Sequence, residues 1–278
     1  MYAVVQFKPR RGARNANLVG LTTLTTAALQ GGAKVVVLPE MAATGYRFPN
    51  PEVIRPMSEV PRGPTFRTFA PLARQYKAHI IVGFVEDHEG RLFNSALIIG
   101  PDGRIEGLYR KRLLYIDDHT WASPGDLPYP QFNTPYGTAT VGICMDINDP
   151  RFITHLRRTR PDIVCFPTNW VDEGTDIHRY WNQQLRGWSG TLLAADRWGE
   201  EDGVGFAGCS AVIRAGQVLV SGPAEGDGWW AAAPPPKVKP EPKPAPKPEA
   251  PPTEAAPSEP VAASDASVEP ASAEPTPE

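Results

Sequence analysis

The chain has 278 residues and divides at Pro234 into 233 of ordinary globular composition and 45 that hold 15 of its 32 prolines. The body carries 24 basic against 23 acidic residues and the tail four lysines against eight acids, so the body presents no basic field for nucleic acid. No apolar run approaches the roughly 18 residues of a membrane span, which argues against a membrane protein and makes the cytoplasm the default location.

The body, residues 1–233, is long enough to bury one large core. NANLVGLTTLTTAALQGGA has apolar residues at helical spacing, with Gly31 and Gly32 as a stop. AKVVVLPEM then reads as a strand buried on both faces, TFRTFAPLARQYKA as a helix and HIIVGFVED as a strand. LFNSALIIGPDGRIEGLYRK reads as two strands joined at PDG. TATVGICMDI and PDIVCFPTNW follow as buried strands around the helix FITHLRRT. IHRYWNQQLRGWSGT reads as a helix, and FAGCSAVIRAGQVLVSG as a second hairpin. Helices alternating with apolar strands predict α/β layers, and the hairpins predict mixed sheets. From Pro234 the chain lacks aromatics and alternates Pro with Lys, Glu, Ala and Ser, so residues 234–278 are expected to be a disordered, solubilising tail.

Three reactive groups stand at or just after buried strands, where side chains of an open α/β sheet meet. Glu40 ends VVVLPE, and is either a solvated cap of the next turn or a partly buried carboxylate. Lys111 lies between two arginines in YRKR, where a solvated charge run is the ordinary reading. Cys144 ends VGIC before the polar turn MDINDPRF, where a core thiol is the ordinary reading. Cys165 and Cys209 sit mid-strand among apolar or small neighbours and read as core, and no CxxC or Cys/His spacing marks a zinc site. Taken together, a thiol, a carboxylate to take its proton and an ammonium to face an oxyanion meet the needs of acyl transfer.

LPEMAATGY, YRKRLLY with WASPGD downstream, and VGICMDIND resemble, in order and spacing, the Glu, Lys and Cys motifs of the nitrilase superfamily of carbon–nitrogen hydrolases. FPTNW and AADRWGEEDGVGFAGCSAVI resemble its later segments, so the likeness spans nearly the whole body. The resemblance implies a four-layer α-β-β-α sandwich, assembly into a homodimer or higher homo-oligomer through the helix after Cys144, and catalysis with no metal or organic cofactor. It implies Glu40 as general base, Cys144 as nucleophile, and Lys111 with the Met145 backbone N–H as oxyanion donors. Asp118 stands where many amidase members carry a glutamate, and either orients Lys111 and the substrate amide or is a solvated turn acid. Trp170, just past a strand end, is a candidate wall of the substrate cleft. CMDIN, with YW and GEEDGV downstream, is nearer the branch that deamidates N-terminal Asn or Gln of proteins.

The expected reaction is hydrolysis of a linear, non-peptide amide through a thioester, with a small amide or a protein N-terminus as substrate. A nitrilase or acyltransferase using the same triad, or a silent scaffold docking through the tail, are the alternatives. Specificity is expected from the loops 43–62 and 115–136, with Arg47, Arg55, Arg112 or Arg151 available to a substrate carboxylate.

Overall fold

Period-two alternation of apolar side chains decides the architecture. In the first strand, β1 (Tyr2–Gln6), Ala3 and Val5 face one way while Tyr2 and Val4 face the other, and all four are buried. Such a strand must be covered on both sides. In the computed structural model, which describes residues 1–236, α1 (Arg14–Gln30) leads to β2 (Val35–Val37). A short α2 (Pro51–Ile54) and then α3 (Pro64–Tyr76) precede β3 (His79–His88), β4 (Arg91–Ile99) and β5 (Ile105–Arg110). A second series follows: β6 (Phe132–Thr134), β7 (Gly137–Val141), α4 (Pro150–Thr159), β8 (Ile163–Thr168), α5 (Ile177–Gln184) and β9 (Thr191–Asp196). The hairpin β10 (Trp198–Glu201) and β11 (Val204–Ala207) comes next, then β12 (Ala211–Arg214), β13 (Gln217–Ser221) and β14 (Gly228–Ala232).

Two six-stranded sheets result, ordered β14-β1-β2-β3-β4-β5 and β13-β12-β9-β8-β7-β6. Each has a parallel centre, β1-β2-β3 in one and β7-β8-β9 in the other, flanked by antiparallel strands. Tyr2, Val4, Val37 and Ile81 of the first sheet pack against Val141, Cys165, Leu193 and Val212 of the second, forming the inter-sheet core. The outer face of the first sheet packs Val36, Ile80 and Val82 on Leu21 of α1 and Phe69 of α3. That of the second packs Val164 and Phe166 on Phe152 of α4 and Trp181 of α5. Burying each such large side chain contributes about 1.5–3 kcal/mol. The layers are therefore α-β-β-α, as the resemblance implies. Among the described residues no helix is long and apolar enough to cross a membrane.

Two local readings are corrected. The helix expected through IHRYWNQQLRGWSGT ends at Gln184, since Gly187 takes a left-handed φ of 89° before β9. Cys209 is not in a strand: it lies half-buried at φ 52° between β11 and β12. Two elements lie where none is expected from the sequence: the β10–β11 hairpin, and GDGWWAAA, which forms the edge strand β14, with Trp229 packed toward α1 and Trp230 toward the inter-sheet core. The tail expected to be disordered lies, from residue 237, outside the described residues.

Candidate active site

β2 ends at Val37, yet the chain keeps running beside β3, with Leu38 N–H donating to Ile81 O (2.8 Å) and Gly83 N–H to Pro39 O (3.2 Å). The contact is so close that a Cβ on Gly83 would lie 2.6 Å from Glu40 Cα, Met41 N and Pro39 O, so only glycine fits there. This crossing directs Glu40 inward, where it is fully buried and not the solvated cap that strand ends favour. Its Oε1 accepts from Lys111 Nζ (2.7 Å) and Asn94 Nδ2 (2.6 Å), and its Oε2 from the Asn169 N–H (2.8 Å). Burial raises the Glu40 carboxyl above its ordinary range, against the pull of Lys111.

Lys111 follows β5 directly and is 1% exposed, so the solvated charge run is also corrected. Its neighbour Arg110 is buried too, paired with Glu86 at 2.6 Å. Lys111 Nζ donates to Asp118 Oδ2 (2.6 Å) as well as to Glu40. Burial would lower the ammonium, but the two carboxylates overcome it and raise it well above the ordinary lysine value. Asp118 reaches Lys111 from a 3₁₀ turn over Asp118–Thr120. It is fully buried, accepting also from Tyr115 N–H (2.9 Å) and Asn94 Nδ2 (3.1 Å). The solvated-acid alternative for Asp118 does not hold.

Cys144 lies two residues beyond a tight approach in which a Cβ on Gly142 would meet the Phe152 ring at 2.6 Å. It opens a 3₁₀ turn over Cys144–Asn148 at φ 46°, a left-handed conformation that costs a non-glycine residue about 1–3 kcal/mol. Asp146 holds that turn. Its Oδ2 accepts from Ile143 N–H (2.9 Å) and Tyr109 OH (2.8 Å), and its Oδ1 from Arg112 N–H (3.1 Å) and Leu113 N–H (2.9 Å). One buried carboxylate thus ties the thiol's turn to the segment just after Lys111, and burial lifts it to about 6 despite these donors. The Cys144 sulfur is 4.0 Å from the Asn169 carbonyl oxygen. Burial first, and the Glu40 charge second, push the thiol well up, with Lys111 opposing, so the resting sulfur is protonated.

The thiol opens into a cavity of about 230 Å³ walled by Met145, Trp170, Tyr180 and Tyr115. Glu40, Lys111 and Asp118 form one hydrogen-bonded cluster, and Cys144 joins it through Asn169, whose N–H serves Glu40 and whose carbonyl faces the sulfur. The four arginines offered to a carboxylate are occupied elsewhere. Arg47 pairs with Asp117 (3.2 Å), Arg55 with Asp87 (3.1 Å) and Arg151 with Asp149 (2.8 Å), while Arg112 donates to the Leu127 carbonyl and lies over the Tyr129 ring. Among the described residues no group of three or more His, Cys, Asp or Glu side chains is arranged to hold a metal ion.

Asn94, Asp146 and Asn169 escaped the reading of the sequence. A polar Asn-Ser pair inside the apolar run LFNSALII was the available signal for the first.

Residues 2–232 match the family model described as carbon-nitrogen hydrolase. The protein N-terminal amidase of Schizosaccharomyces pombe is 28% identical over 263 residues, covering 78% of this chain and 91% of that protein. The nitrilase of Pyrococcus abyssi is 32% identical over 215 residues, covering 76% and 79%. A solved amidase from Nesterenkonia sp. AN1, carrying acrylamide added at its active-site cysteine, superposes with a TM-score of 0.71 at 20% identity, covering 82% of this chain and 90% of that one. With an α-β-β-α core matched by the family model over almost the whole of the described residues, the chain belongs to the carbon–nitrogen hydrolases of the nitrilase superfamily.

Proposed function

We propose that this carbon–nitrogen hydrolase cleaves a linear carboxamide, not a peptide bond, through a thioester on Cys144. The observation that carries the reading is the sharing of Asn169 between Glu40 and Cys144 at the floor of one cavity. A protonated thiol beside a buried carboxylate calls for general-base activation at the moment of attack, not a preformed thiolate. Glu40 takes the Sγ proton as sulfur bonds to the amide carbon. The carbonyl oxygen becomes an oxyanion facing Lys111 Nζ and the Met145 N–H. Asp118 and Asn94 keep the Lys111 ammonium and the Glu40 carboxylate in place. Collapse breaks the C–N bond, Glu40 returns its proton to the leaving nitrogen, and ammonia or an amine departs. Water then attacks the thioester with Glu40 again as base, releasing the acid and restoring the thiol.

The similarity to a protein N-terminal amidase supports a carboxamide on an N-terminal residue as one substrate, and the similarity to a nitrilase makes nitriles the necessary comparison. The test is ammonia release from amides, N-terminal Asn peptides and nitriles by the wild type and Cys144→Ala, with mass spectrometry of the acylated protein. Release by wild type alone, with an acyl adduct on Cys144, is expected. Equal release by both proteins, or an adduct elsewhere, overturns the reading. Hydrolysis of nitriles alone reassigns the substrate while keeping the thiol.

A further inference from the structure

The walls of the Cys144 cavity are largely aromatic and apolar; Thr175 and Asn148 also line it, the latter already bonded to Tyr180 and Met145, and two further places are polar. Glu173, in the loop between β8 and α5, is the one charged side chain among the residues that line it. The Tyr115 hydroxyl at the same wall is raised above its ordinary range by burial first, and next by the negative charges of Glu173 and Asp117. No lysine or arginine lines the cavity, and Lys111 beneath it is already clamped between Glu40 and Asp118. Arg47, whose charge is felt by Tyr115, is paired with Asp117.

The second place is Asn169. It is 2% exposed, lines the cavity, and has no hydrogen-bond partner for either Nδ2 or Oδ1. Buried polar groups are otherwise satisfied almost everywhere in proteins, so an amide with both ends open beside a thiol is a group waiting for a ligand. It can donate to and accept from the polar part of a substrate near the reacting carbon. The rings of Trp170 and Tyr180, with centroids 5.3 Å apart, add faces that attract a cation.

Resting on the amide-hydrolase reading, we infer that the substrate is a cationic amide: a carboxamide attacked by Cys144, held at its polar end by Asn169, and bearing a primary ammonium group that Glu173 receives. A free α-amino group at a protein N-terminus and the amine of a small amino-amide present the same chemistry. A substrate carboxylate would meet Glu173 with no compensating cation and is disfavoured.

Two measurements test this independently. The first compares Cys144 alkylation by neutral chloroacetamide and by a chloroacetamide carrying an aminoethyl group, a reaction that needs no turnover. The cationic reagent is expected to label at least tenfold faster, the advantage falling in Glu173→Gln and reversing in Glu173→Lys. The second compares kcat/KM for ammonia release from β-alaninamide, its neutral isostere butyramide and its anionic counterpart succinamate. It adds ε-aminocaproamide against heptanamide, and a peptide with N-terminal asparagine against its N-acetyl form. A charge-assisted contact predicts at least a tenfold cationic-to-neutral ratio, expressed in KM, that collapses in Glu173→Gln. Asn169→Ala is expected to weaken cationic and neutral amides alike. Labelling without charge preference, or a cationic-to-neutral ratio near one, overturns the inference. Charge-selective labelling without hydrolysis of any amide supports it and defeats the hydrolase reading instead. The ratio of the Asn peptide to β-alaninamide then tells a protein N-terminus from a small amine.

Discussion

Replacing Asp146 by asparagine removes one acceptor from a carboxylate that serves four donors. If the new Nδ2 takes the place of Oδ1, the Arg112 and Leu113 N–H groups both lose their acceptor. If it takes the place of Oδ2, only the Ile143 N–H is orphaned, because the Tyr109 hydroxyl can turn and accept. The second orientation is therefore adopted. Its cost is one buried, unsatisfied N–H, about 1–3 kcal/mol. In a body of this size that lowers Tm by about 2–4 °C per kcal/mol. Asp146→Ala orphans all three N–H groups and must cost more than asparagine. Activity should fall as well, since the orphaned Ile143 N–H directly precedes the nucleophile and the left-handed turn at Cys144 is held from that point. The assay is thermal unfolding beside kcat on one amide for wild type and both variants. An alanine variant no less stable than the asparagine one, or wild-type kcat in both, would refute the argument that these four bonds hold the turn.

The remaining expectations concern the buried cluster. Glu40 must be ionised to act as base and is raised above the ordinary glutamate value of 4.5, so kcat/KM should be lost as pH falls through a point above that value; an acid limb at or below it contradicts the assignment. Lys111→Ala leaves Glu40 and Asp118 buried with no counter-charge, and should cost about 3–5 kcal/mol in chemical denaturation at neutral pH. Without the ammonium the buried Glu40 carboxyl holds a proton more tightly folded than unfolded, so that loss should shrink as pH falls, whereas a pH-independent loss would point to packing alone. Gly83→Ala must push the backbone at Pro39, Glu40 and Met41, so kcat should drop by tenfold or more, while Gly90→Ala, with open space around its Cβ but a left-handed φ of 80° that strains any other residue, should affect stability only.

The long β-strands, the helices between them and the positions of Glu40, Lys111 and Cys144 were legible because each depends on local pattern. Apolar alternation marks a strand wherever it packs, and a reactive side chain at a strand end is visible as a break in that pattern. Asn94 and Asp146 were not legible in their roles, because each acts across sequence gaps that only the sheets close: Asn94 meets Glu40 over 54 residues and Asp146 meets Tyr109 over 37. Burial was misjudged for the same reason. A lysine flanked by two arginines looks solvated until Glu86, Glu40 and Asp118, from three other segments, are seen to receive the charges. β14 was missed because two tryptophans between glycine and alanine make too short a pattern, and the partner that stabilises them, β1, lies at the other end of the body.

That partnership has a kinetic consequence. β1 is made long before β14, and it pairs with β2 within about 30 residues; its other edge waits for Gly228–Ala232. At about 5–20 residues per second, the apolar edge of Tyr2–Gln6 stays open for ten seconds or more after it emerges. During that interval it is a strand able to pair with another nascent chain. A covalent tether that brought the β14 sequence in front of β1 as a hairpin would convert the slowest contact of the first sheet into one of its fastest, and refolding yield at high protein concentration would register the change.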